Sequence, residues 1–321
     1  MIDQRQAWDR FWSYDRLSSF GTGRGAGNYG GPIAAGWREF FASLPEGAHV
    51  LDIATGNGAI AMMAVEAGDG LQVTGTDLAR VEPAAFVSRG KDKLERIRFL
   101  ANTPAEVLPL EDGSFDAVTS QYGVEYSDMA RSVPEAVRVL APGGRLRFAC
   151  HAAEGSVAAD TKRAVADADF LLDHVDLIGR ARDCFTAILG VERGLARSPF
   201  APTEAQGKYT AFRKGLQAVA ERAQSATDAA MLASVHRSLT DMFQQRQSHD
   251  DAALTARLDD LQVEVEAHRE RERALIAAAQ SAQQMVALAE RLASLGLIDI
   301  ALDHQRDGDD LIGHVVEARR A

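Results

Sequence analysis

One stretch limits the fold of this chain more than any other. It is Val50-Leu51-Asp52-Ile53-Ala54-Thr55-Gly56-Asn57-Gly58, followed 19 positions beyond Gly58 by Asp77. An apolar strand that runs into a glycine turn and a helix, with the next strand ending on a carboxylate, reads as a nucleoside-binding crossover. Gly56 and Gly58 lack a Cβ, so the turn is free to take unusual backbone angles and to let a ligand approach the main chain. The helix starting near Ala59 presents free N–H groups and the positive end of its dipole. Asp77, closing Leu71-Gln72-Val73-Thr74-Gly75-Thr76, is placed to accept hydrogen bonds from both hydroxyls of a ribose.

The identity of the nucleoside is less constrained. Gly56-Asn57-Gly58-Ala59-Ile60-Ala61 also satisfies the looser dinucleotide fingerprint with alanine in third place, which keeps an NAD-dependent oxidoreductase open. Asp52, four residues before Gly56, argues the other way. A carboxylate sits badly beside a pyrophosphate and well beside the ammonium of a sulfonium amino acid, which favours S-adenosylmethionine. A second feature is the run Leu108-Pro109-Leu110-Glu111-Asp112-Gly113-Ser114-Phe115-Asp116 leading into Ala117-Val118-Thr119-Ser120-Gln121.

With these residues in that order, the chain resembles a class I S-adenosylmethionine-dependent methyltransferase, nearest in style to the ubiquinone/menaquinone C-methyltransferase group. The resemblance covers Val50 to about His151 and resumes at the extreme C-terminus. It implies S-adenosylmethionine as cofactor and a small-molecule methyl acceptor. By position it places Asp52, Gly56, Asn57 and Gly58 in the cofactor loop. Asp77 is then on the ribose with Leu78 beside it, Pro104 and Ala105 flank the adenine, and Ser120 closes the site. Two departures stand out. The family usually carries Asp or Asn where this chain has Pro104, leaving Asn102 as a substitute, and Ala54 replaces the first glycine of the loop.

The surrounding pattern is an alternation of helices and strands. Helices are expected over Gly36–Leu44, Ala59–Ala67 and Asp128–Leu140. Strands are expected over Val50–Ile53, Leu71–Thr76, Ile97–Leu100, Ala117–Gln121 and Arg145–Cys150, with Ala141-Pro142-Gly143-Gly144 as a turn. Near the end, Ile298–Asp303 and Leu311–Ala318 read as a strand pair around a polar turn. The fold expected is α/β, a doubly wound, mostly parallel, Rossmann-like sheet with an antiparallel last strand and a large helical insertion.

Three parts follow. Residues 1–35 carry Trp8, Phe11, Trp12, Tyr14 and a glycine-rich stretch from Gly21 to Pro32, and read as a lid segment. Residues 36–151 with 275–321 form the Rossmann-like domain. Residues 152–274 are alanine-rich and charged, and read as a helical insertion that caps the substrate. There Leu254, Leu258, Leu261 and Val265 make one apolar stripe, which His268 and Glu272 interrupt, so packing among antiparallel helices is expected rather than a long coiled coil.

Composition narrows the partners. A net charge of -11 opposes a broad electrostatic grip on nucleic acid. The polar N-terminus lacks the apolar core of a secretory signal, and no apolar run approaches the roughly 18 residues of a membrane span. Cys150 and Cys184 form no metal or disulfide pattern, so no metal is expected and a cytoplasmic location is. A homo-oligomer formed through the helical insertion is left open.

The chemistry expected is in-line displacement of the methyl group, for which alignment in a dry pocket is the main requirement. If the acceptor must lose a proton, His151 at the end of the fifth strand is the candidate base, with Tyr122 the second catalytic candidate and Glu125 and Tyr126 nearby. Tyr122 and Tyr126 suit pocket walls better than bases, since a phenol titrates at about pH 10. Besides the oxidoreductase, a binding or assembly protein that keeps the fold without catalysis stays open.

Overall fold

The computed structural model describes residues 2–19, 27–68, 70–227 and 229–321. In chain order the N-terminal elements are α1 (Gln4–Trp12), α2 (Gly31–Ala42), β1 (His49–Ile53), α3 (Ala59–Ala67), β2 (Gln72–Thr76), α4 (Pro83–Phe86), α5 (Lys91–Leu94), β3 (Ile97–Leu100), β4 (Phe115–Gln121), α6 (Met129–Val139) and β5 (Leu140–His151). Helices α7 (Ser156–Asp169), α8 (Leu177–Glu192), α9 (Ala201–Ala223), α10 (Ala229–Gln244), α11 (Asp251–Ala278) and α12 (Ala282–Ser294) follow, then β6 (Leu297–Asp307) and β7 (Asp310–Arg320).

The chain forms two compact units, one of residues 4–159 and 274–321 and one of residues 160–273 with the extreme N-terminus. The first contains a seven-stranded sheet in the order β3-β2-β1-β4-β5-β7-β6. Strands β1 to β5 pair in parallel and β7 runs antiparallel between β5 and β6, as the alternating pattern and the terminal strand pair predict. Apolar runs such as Val50-Leu51 and Ala117-Val118 suit a sheet buried on both faces. One core lies under α2 and α3, with Trp37, Phe41, Ala61 and Val65, and the other under α6 and α12, with Phe148, Val133, Leu288 and Leu292. The order reverses between β1 and β4, so the carboxyl ends of these strands open the crevice in which such sheets take ligands.

Several boundaries differ from the sequence reading. Helix α2 starts at Gly31 rather than Gly36, with proline in its first turn, where the missing N–H costs nothing. Of the glycine-rich stretch, residues 20–26 lie outside the described residues. Ala141-Pro142-Gly143-Gly144 is no separate turn. It lies inside β5, whose pairing with β4 jumps from Phe115↔Leu140 to Ala117↔Arg145, so Pro142 sits in a bulge where no ladder N–H is required. A second proline, Pro134, sits inside α6, and the carbonyl of Ala130 that it leaves without a helical partner accepts a hydrogen bond from Arg291 Nη2 at 2.6 Å.

The other unit is helical. Leu258, Leu261 and Val265 of α11 join Phe185 of α8, Phe212 and Val219 of α9, and Leu232 and Leu239 of α10 in a separate apolar core. The predicted stripe is thus the buried face of its helix. His268 Nδ1 lies 3.8 Å from Glu272 Oε1, which places the two interrupting residues as neighbours one turn apart.

Candidate active site

The strand ends gather most of the residues that the sequence singles out. After β1 the backbone turns sharply, with positive φ at Ala54 (55°), Gly56 (55°) and Gly58 (88°). Ala54 is tolerated because its neighbour is Gly123, where an added Cβ would lie 2.4 Å from the Ala54 methyl. The glycine missing from the loop is therefore matched by one on the facing chain. Asn102 at the end of β3 and Tyr122 at the end of β4 also have positive φ, 56° and 55°. Strain of this kind at the ends of β1, β3 and β4 marks a region shaped for something other than stability.

Asp77 is bound to the turn directly. Its Oδ2 accepts the Gly56 N–H at 2.7 Å and its Oδ1 accepts the Ala79 N–H at 2.8 Å. Burial nevertheless raises its pKa to about 6, because these neutral donors only partly replace water. Asp52 is buried more deeply, with Oδ2 accepting from Thr55 Oγ1 at 2.6 Å and Oδ1 from Thr119 Oγ1 at 3.0 Å, and burial raises its pKa to about 7. Asn57 is wholly buried. Its Nδ2 donates to the carbonyls of Trp12 (3.0 Å) and Arg16 (2.8 Å), while its Oδ1 is buried with no hydrogen-bond partner among the described residues. Leu78 is half exposed beside Asp77, and Pro104 and Ala105 are partly exposed on the loop after β3. Ser120 is held inside, donating to the Ile53 carbonyl at 2.9 Å and accepting the Val124 N–H at 3.0 Å.

The catalytic candidates form a second cluster at the ends of β4 and β5. Glu125 Oε1 meets His151 twice, accepting its backbone N–H at 3.0 Å and contacting Nδ1 at 2.9 Å, with both side chains buried. The Tyr122 ring stacks on His151 with centroids 4.2 Å apart, and Tyr126 meets the same imidazole edge-on at 6.1 Å. The Tyr122 hydroxyl donates to Gln305 Oε1, which also accepts from Gln121 Nε2 at 3.0 Å, and Gln121 in turn accepts from Trp37 Nε1 at 2.6 Å. Burial drives the Tyr122 phenol well above its ordinary pKa, so Tyr122 stands as an ordered wall. His314 is buried beside His304 and contacts Glu154 at 3.1 Å.

Within the segment read as a lid, sequence reasoning did not pick out the helix α1. Trp8, Phe11 and Trp12 lie on one face at i, i+3 and i+4, a spacing that signals a buried helical face, and Phe11 and Trp12 pack with Ala79 and Val81 just beyond β2.

Comparison with known proteins bears on the domain that carries these residues. Residues 51–148 match a family model described as a methyltransferase domain. A demethylmenaquinone methyltransferase of Thermus thermophilus is 42% identical over 100 residues, 30% of this chain and 44% of that protein. Residues 51–148 are a class I S-adenosylmethionine-dependent methyltransferase domain. A ubiquinone/menaquinone biosynthesis C-methyltransferase of Geotalea uraniireducens is 32% identical over 141 residues, 41% of this chain and 54% of that protein. This chain thus spans about half the length of the curated relatives it matches. Among solved structures, phosphoethanolamine N-methyltransferase 2 of Haemonchus contortus, in complex with S-adenosyl-L-methionine, has a TM-score of 0.42 at 15% identity, covering 100% of this chain and 60% of that one. Among the described residues, no helix is long and apolar enough to cross a membrane, and no group of side chains is suited to hold a metal ion.

Proposed function

We propose that the methyltransferase domain binds S-adenosylmethionine across the carboxyl ends of β1 and β2 and transfers its methyl group to a small-molecule acceptor. The observation that carries this reading is Asp77, a buried carboxylate at the end of β2 that is locked to the glycine turn. Its accepting oxygens suit ribose hydroxyls, and the unfilled Asn57 Oδ1 and buried Asp52 suit a ligand that brings N–H donors and positive charge. Pro104, Ala105 and Leu78 offer apolar surface for the adenine.

The bound sulfonium supplies an activated methyl group, so the chain's own task is alignment and exclusion of water. Tyr122 and Tyr126 wall the reacting end, and His151 accepts a proton from an acceptor that must lose one. Glu125 fixes the imidazole and stabilises it when protonated. Residues 152–274 are proposed to select the acceptor. The competing assignment, assembly without catalysis, is separated from this one by deletion of the helical unit.

Calorimetric titration with S-adenosylmethionine and with NAD tests the cofactor. The native chain is expected to bind the first and not the second, and Asp77→Ala to weaken binding by about 1 to 3 kcal/mol, the loss of hydrogen bonds to a charged group. NAD binding without adenosylmethionine binding would overturn the assignment.

A further inference from the structure

Several positions along the proposed cofactor track are already engaged by one segment of the chain. The indole of Trp12 lies on the open face of Gly56, where an added Cβ would be 2.4 Å from Cζ2. Asn57 Nδ2 is spent on the carbonyls of Trp12 and Arg16. Beyond β2, the Arg80 N–H donates to Asp9 Oδ1 at 2.6 Å. At the end of β3, Asn102 Oδ1 accepts from Arg5 Nη2 at 2.5 Å. Residues 5 to 16 therefore run across the whole length of the nucleoside track, from the glycine turn to the residue assigned to the adenine. Asp15 fastens the segment's far end, its carboxylate accepting the backbone N–H of Ser88 at 3.0 Å and its Oγ–H at 2.6 Å.

A ligand that takes up the side of Gly56 on which the indole lies needs the indole to move, because two groups cannot occupy one place in van der Waals contact with the Cα. We infer that the N-terminal segment is a self-occluding strap, with Trp12 holding the ligand's place on the glycine turn until an S-adenosyl compound displaces it. This rests on the cofactor assignment proposed above. A closed strap lowers apparent affinity in proportion to the fraction of molecules in which it is open. It also limits association, since at high ligand concentration binding proceeds no faster than the strap opens.

The strap is held by contacts that can be removed without touching the cofactor groups. Trp12→Ala deletes the occluding ring, and Asp15→Ala releases the Ser88 anchor at a distance from the turn. Stopped-flow and calorimetric binding of S-adenosylhomocysteine to the full-length chain reads both. The native protein is expected to show an observed rate that saturates with ligand concentration. Trp12→Ala should bind about tenfold more tightly with a rate that rises linearly, and Asp15→Ala should move in the same direction by a smaller factor. Should Trp12→Ala disturb folding, Asp15→Ala alone decides. Weaker or unchanged binding in the folded variants, with a linear rate in the native chain, would overturn the strap. Asp77→Ala, run alongside, separates the two claims. If it binds S-adenosylhomocysteine as tightly as the native chain, the cofactor assignment fails, whereas its loss of binding with no effect of Trp12→Ala refutes the strap alone.

Discussion

The ion-paired acids of the helical unit and the buried acids of the strand ends are held in opposite ways. In the helical unit Asp167 is buried against Arg222 Nε at 2.7 Å, and Asp169 meets Arg269 at 3.2 Å and Arg273 at 2.7 Å. Glu192, bonded to Arg246, has its pKa lowered by that contact. At the strand ends, Asp52 and Asp77 are buried among hydroxyl and N–H donors, and burial raises them to about 7 and about 6. An acid with its cation beside it belongs to the architecture. An acid buried among neutral donors is costly to keep ionised, and such costs concentrate where a ligand completes the charge balance.

The largest expected effect is at the glycine turn. Gly56→Val should abolish adenosylmethionine binding while helix content by circular dichroism stays near native, because a branched Cβ at φ 55° is strained and occupies the ligand's face. Full binding by this variant would reduce the turn to a purely structural element. On the other side of the comparison, Asp167→Ala should cost about 1 to 2 kcal/mol in urea denaturation and leave cofactor affinity alone. The loss is held below that of a fully buried pair because the Arg222 side chain is 38% exposed. A change in affinity would mean that the two units do not divide their roles as described. The smallest effect on cofactor binding is expected from the largest alteration. Replacing residues 160–273 by a flexible linker should leave adenosylmethionine binding intact, since Phe212, Leu232 and their neighbours form a core of their own. Acceptor turnover should be lost. Conversion of an oligomer to a monomer with turnover retained, seen by light scattering, would favour assembly instead.

What the sequence revealed follows the same division. The glycine turn, Asp77 and the α11 stripe were legible because each is a local demand, of backbone angle, strand end or helical period. The bulge in β5 was not, since Pro142 and the glycines after it suit a turn equally well, and only the offset between Phe115 and Ala117 keeps them in the strand. The tolerance of Ala54 depends on Gly123, 69 positions away, and the capture of Asn57 depends on Trp12 and Arg16 from another element. Contacts of that range leave no periodic trace in a single sequence. The pairing of Glu125 with His151 is of the same kind, although both residues stood among the candidates.

The pH behaviour carries the central claim. With pKa values raised above the unfolded 3.8, Asp77 and Asp52 favour the ligand-free fold most below about pH 4, and that contribution is lost as pH rises through about 6 and 7. Ribose hydroxyls and a ligand ammonium prefer the ionised carboxylates, so binding should tighten from pH 5 to pH 8 and release protons on the way. The most direct measurement is calorimetric titration of the native chain and Asp77→Asn with S-adenosylmethionine at pH 6, in two buffers of different ionisation enthalpy. The account predicts net proton release by the native chain and a smaller release, with weaker binding, by Asp77→Asn. Proton-neutral binding that Asp77→Asn leaves unchanged would contradict it.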